Sequence, residues 1–198
     1  FQSVYVWGAQ VEQGNASSYI PTQGAIQTRV AETASGSGNS EVFSDSQGVI
    51  FANISALAND GTSRRITISD GGISNRVSIE IDETADRLKL FIDGNALQVD
   101  NIKLTNFTKI CGKYKANDYA LWVNGFKSAA LTTSSNVPSG LDRLNFDGGD
   151  LSNDFYGKTK EIAYYDTVLT DLELETLTSY RTWEEMVKEL NLNIIHNE

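Results

Sequence analysis

A chain of 198 residues, 40% hydrophobic and 21% charged, is long enough to bury a substantial core. Its 26 acidic and 16 basic side chains leave a net charge of −10, a sign that opposes binding to nucleic acid. No apolar run approaches the about 18–20 residues that would insert across a membrane, and a lone cysteine, Cys111, rules out an intrachain disulfide framework.

Glycine is frequent and proline rare, at 16 and 2 residues, a usage that suits many strands joined by Gly, Asn, Asp and Ser turns. The chain begins at Phe1 rather than Met, which reads as a piece of a longer protein. Val4 to Val11 reads as a strand with bulky apolar groups on both faces, so it needs cover on both sides. Pro21, Gly24 and the run from Ala31 to Glu41 read as an exposed linker. The expected organisation is residues 1–34 continuing from a preceding module, a sandwich over 35–180, and a C-terminal helix and tail over 181–198.

From Val42 short strands succeed one another with turn signals between them, the pattern of an all-β sandwich or barrel. Strands are expected at Gly48–Ile54, Arg65–Ser69, Val77–Ile81 and Leu88–Ile92, the last closed by Asp93-Gly94-Asn95. In the hairpin formed by the last two, Val77, Ile79 and Ile81 point inward while Ser78, Glu80 and Asp82 point out. Further strands are expected at Ile102–Thr108, Lys109–Lys115, Tyr119–Val123, Phe126–Leu131 and Leu141–Phe146. The Asn124-Gly125 pair supplies a hairpin turn. Cys111 reads as a small buried hydrophobe rather than a reactive thiol.

Phe155 to Leu177 reads as a strand, a turn and a helix whose Thr170 and Glu173 have capping-box spacing. Thr182 and Glu185 repeat that spacing. Trp183, Met186, Val187 and Leu190 then make one apolar stripe, expected to cover the sandwich or to meet another copy.

The stretch FYGKTKEIAYYDTVLTDLELETL resembles the closing signature of laminin-G-like, concanavalin-A-like sandwich domains. Gly157, Ile162, Tyr165, Asp166, Leu169, Thr170 and Glu173 carry the match. The N-terminal VYVWGAQVEQGNASSYIPTQGAIQTRVAE and the C-terminal SYRTWEEMVKELN are similar to segments of bacteriophage tail-fibre proteins. The resemblance implies an antiparallel two-sheet jelly-roll sandwich with a short C-terminal helical extension. It also implies a non-enzymatic module on the virion surface that binds host surface glycans. Its partners would be other copies of itself in a trimer and neighbouring virion proteins. A purely structural assembly module is the alternative.

Three constellations bear on chemistry. Glu80 and Asp82 share a strand face, as acids of sandwich-fold glucan hydrolases do, but Thr84 breaks the catalytic series. They read instead as a solvated strand edge, and no catalytic residue is assigned. Asp147, Asp150 and Asp154 lie in one oxygen-rich loop and are candidate calcium ligands. Trp122, Tyr119 and Tyr165 are candidates for stacking on sugar rings, with core packing as the competing role.

Overall fold

The chain divides into two compact units, Phe1–Thr33 and Ala34–Glu198. The computed structural model describes residues 36–189, all within the second. The expected strand Val4–Val11, Leu190 and the tail after it lie outside the described residues.

Ten strands and two short helices form a two-sheet antiparallel sandwich. The strands are β1 (Gln47–Ala56), β2 (Arg64–Ser69), β3 (Arg76–Ile81), β4 (Leu88–Ile92), β5 (Asn95–Val99), β6 (Thr108–Lys115), β7 (Tyr119–Val123), β8 (Phe126–Leu131), β9 (Arg143–Asn145) and β10 (Gly157–Tyr165). The helices are α1 (Asp171–Thr178) and α2 (Trp183–Glu189). One sheet runs β10-β1-β6-β7-β8 and the other β5-β4-β3-β2-β9.

Period-2 alternation sends Ile66, Ile68, Val77, Ile79, Leu88, Leu90 and Ile92 from one sheet against Ile50, Ile54, Ile110, Tyr114 and Tyr119 of the other. Each large aliphatic side chain removed from water there contributes about 1.5–3 kcal/mol. The hairpin β3–β4 pairs Val77 with Ile92 and Ile81 with Leu88. Asn124 and Gly125, at φ 49° and 87°, make the tight turn between β7 and β8.

One strand expectation is overturned. Residues 100–107 do not form the strand expected over Ile102–Thr108, and Thr108 instead opens β6. They run irregularly, with the Leu104 carbonyl accepting from Ala56 N–H at 2.7 Å and Leu104 itself buried. Ile102 and Leu104 alternate because they plug the end of the sandwich, not because they pair with a neighbour. The strand in this region is β5, reached through the Asp93-Gly94 turn at φ 38° and 84°. Asp93-Gly94-Asn95 therefore reverses the chain rather than ending the pairing.

Helix α1 starts as its capping box requires. Glu173 N–H donates to Thr170 Oγ1 at 3.3 Å and Thr170 N–H to Glu173 Oε2 at 2.8 Å. Its Leu174 closes a second apolar cluster with Val49, Phe51, Cys111, Ala120 and Trp122 on the outer face of the first sheet. Burial there pushes the Cys111 thiol well above its ordinary range. Disulfide-exchange reagents should therefore label Cys111 only as fast as the fold opens; rapid labelling of the native protein would contradict this placement.

Candidate functional site

The outer face of the second sheet is polar yet largely hidden from solvent. The residues between the inward isoleucines and valines lie in rows across the strands. Ser69 faces Arg76 on one side and Arg143 on the other. Thr67 faces Ser78 and Asn145, and Arg65 faces Glu80. Thr67, Ser69 and Ser78 are wholly buried, and Arg76 is only 7% exposed.

The loop Asp147–Asp154 lies over part of this face. It is tied to itself: Gly148 N–H donates to Ser152 O at 2.6 Å, Gly149 N–H to Asp147 Oδ1 at 2.6 Å, and Ser152 Oγ to Asp150 Oδ1 at 2.5 Å. It is fastened to the sheet by Arg65 N–H donating to Asn153 O at 3.0 Å and Arg76 Nη1 to Gly148 O at 3.1 Å. The Ser152 hydroxyl, helped by the Arg76 charge, holds the Asp150 carboxyl below its ordinary range.

The arginines differ in how their charge is met. Arg65 pairs with Glu80 at 3.0 Å, which also accepts from Ser63 Oγ at 3.1 Å. Arg143 grips its neighbour Asp142 through Nε and Nη2 at 2.6 and 2.9 Å. Arg76 has no carboxylate partner among the described residues; its guanidinium lies 4.5 Å from the Phe91 ring centre and its Nε is buried without an acceptor. Burial, and secondarily the Arg65 charge, lowers the Arg76 pKa against the opposing pull of the Glu80 and Asp150 charges.

Beside the loop the face opens into a recess of about 430 Å³ lined by Gly36, Gly71, Arg143, Asn145, Gly149, Asp150 and Leu151. Asn145 Oδ1 accepts from Gly36 N–H at 2.6 Å, which leaves its amide nitrogen to donate elsewhere. The recess thus offers cationic and neutral donors, the Asp150 acceptor and the apolar Leu151 side chain. That mixture suits a polar, hydroxyl-bearing ligand better than an apolar one.

Of the residues expected to form a site, Asp150 lines the recess, while the aromatic candidates lie elsewhere. Tyr119 is wholly buried between the sheets, and Trp122, 5% exposed, packs under α1 with Val49 and Phe51. Tyr165 packs half-buried against the same cluster. Core packing, not a stacking platform, is what their positions support. Asp147, Asp150 and Asp154 each accept a bond within their own turn, the last from Tyr156 Oη at 3.1 Å. Among the described residues no three acidic, histidine or cysteine side chains converge as a metal site. Glu80 and Asp82 are not a solvated edge either: both are buried, Glu80 on Arg65 and Asp82 on Lys89 and Thr84 N–H. Paired in this way, neither is available as an acid or a nucleophile.

The signal for Arg76 is the outward spacing Arg65, Thr67, Ser69 and Arg76, Ser78, Glu80. It marks a polar face without telling whether water or another segment lies on it.

No protein-family model matches the sequence, and no curated protein matches it. Solved structures do match the fold. The CBM40 of the Ruminococcus gnavus IT-sialidase, bound to α2,3-sialyllactose, matches with a TM-score of 0.57 at 18% identity, over 76% of this chain and 97% of that one. The NanB sialidase of Streptococcus pneumoniae matches at 0.55 and 16%, over 69% of this chain and 25% of that one. A leech intramolecular trans-sialidase matches at 0.53 and 20%, over 76% of this chain and 27% of that one. The chain therefore shares the β-sandwich fold of these structures and spans about a quarter of the two longer chains.

Proposed function

We propose that this chain is a non-catalytic glycan-binding module for acidic sugars, with the recess beside Arg143 as its site. The observation that carries the reading is the lining of that recess, where the Arg143 guanidinium, the Asn145 amide and the Asp150 carboxylate converge beside the apolar Leu151. A sandwich of the same fold holding α2,3-sialyllactose supports a sugar carboxylate as the group that meets Arg143. Glu80 and Asp82 are both occupied by ion pairs and do not form a free acid pair for hydrolysis.

Titration with 3′-sialyllactose and with neutral lactose tests this reading. The sialylated sugar should bind and lactose should bind at least tenfold more weakly, a difference of about 1.4 kcal/mol. Arg143→Ala should weaken binding without shifting the melting temperature. Equal affinity for the two sugars, or none for either, would count against it.

The setting we propose is the surface of a virion, on a tail fibre or related appendage, with host glycans as the ligands and self-association into a trimer. Support for self-association comes from α2, where Met186 and Val187 are half-buried beside a second recess of about 420 Å³ that includes the exposed Phe126. Trp183 opens the same helix and Leu190 follows it. Light scattering should give a multiple of the 21.7 kDa chain mass, reduced by Met186→Glu. A monomer at every concentration would favour the glycan role alone.

A further inference from the structure

The wall of the recess carries a residue that its own backbone resists. Leu151 adopts φ +65° and is 78% exposed, the highest value among the described large apolar residues. Left-handed backbone suits glycine or asparagine, and Asn153, two residues on, takes φ +55° as such a residue does readily. Exposure gives Leu151 no burial in return, since it belongs to neither apolar cluster. Stability therefore gives no reason for a leucine here. Strain that a fold keeps without structural return points to function.

Leu151 lines the recess with Arg143, Asn145 and Asp150, and among the described residues it is the large apolar side chain in that lining. Sugars present hydroxyls at their edges and C–H groups on their faces, so a site built only of donors and acceptors leaves the faces wet. We propose that Leu151 is a specificity-determining residue of this recess. It forms a shelf on which the C–H face of an acidic sugar lies while its carboxylate meets Arg143. This rests on the glycan-binding reading and goes beyond it in assigning the apolar half of recognition.

The test sets stability against affinity. Leu151→Gly frees the backbone at positive φ, which offsets the entropy glycine adds to the unfolded chain. Its melting temperature should hold or rise by up to about 3 °C. Affinity for 3′-sialyllactose should nonetheless fall roughly tenfold. Leu151→Asn keeps a side chain suited to this backbone and should lose as much, whereas Leu151→Met should restore most of the binding. Glycine and asparagine variants that bind as the parent does, while Arg143→Ala does not, would overturn the assignment and leave the glycan reading standing. Variants that lose affinity and stability together would make Leu151 a structural residue and overturn it too. A parent chain that binds no acidic sugar removes both.

Discussion

Replacing Gly149 by alanine is expected to destabilise the protein by about 2–4 kcal/mol and to abolish glycan binding. Gly149 sits at φ +100°, beyond the left-handed region that even asparagine tolerates comfortably. A Cβ added there would lie 2.6 Å from the Gly72 carbonyl oxygen and 3.0 Å from Ser69 Oγ. Both belong to the sheet end on which the loop rests, and a backbone carbonyl cannot swing aside as a long side chain can. The loop must lift instead. Lifting it breaks the Arg76 to Gly148 bond and removes the wall that carries Asp150 and Leu151. Denaturant unfolding with a sugar titration measures both effects. Gly94→Ala is the control: Gly94 is at φ +84° in the β4–β5 turn with nothing within 4 Å of a new Cβ. It should cost only about 1 kcal/mol and leave binding intact. Equal losses in the two variants would show that steric seating of the loop is not what shapes the recess.

The contrast between those glycines also shows what can be seen in the sequence alone. While β1 read as an apolar run, alternation located β2, β3, β4 and β7 because one face of each strand must be apolar to bury itself. It also placed Tyr119, Leu121 and Val123 on the core side and Trp122 opposite them, as the structure has it. What alternation cannot show is what covers the other face. Opposite the core, Trp122 lies under α1 and Ser69 under the 147–154 loop, two coverings that no local pattern of β7 or β2 encodes. The error over Ile102 and Leu104 has the same origin, since a plug and a strand both alternate. Helix α1 was legible because its capping box is a local contract between Thr170 and Glu173. The site was not, because Ser69, Arg76 and Arg143 come together only through the register of three strands.

Substituting Lys109 by methionine should undock α2 and cost about 2 kcal/mol, at the low end for a buried pair because Glu185 is partly exposed. Lys109 reaches outward from β6, 8% exposed, where its Nζ donates to the Ser179 carbonyl at 2.9 Å and to Glu185 Oε1 at 2.8 Å. It also lies 5.2 Å from the centre of the Tyr180 ring. One ammonium thus ties the end of α1 to the start of α2. Glu185 completes the joint by accepting from Arg181 N–H at 2.6 Å, not from the Thr182 N–H that a reciprocal capping box would use. With seven residues, α2 is too short to persist unless docked. Amide exchange over Trp183–Glu189 should therefore approach that of a free peptide in Lys109→Met. Acid should act in the same direction. The Lys109 bond, then the Arg181 N–H, holds the Glu185 carboxyl below its ordinary value of 4.5. A carboxyl whose pKa is lower folded than unfolded stabilises fully above the ordinary value, and the contribution fades as pH falls through the lowered one. Docking should be complete at neutral pH and lost below that range, and in Lys109→Met this dependence should disappear. If copies of the chain meet through α2, their association should follow the same pH profile. Association that persists in acid and in Lys109→Met would place the interface elsewhere.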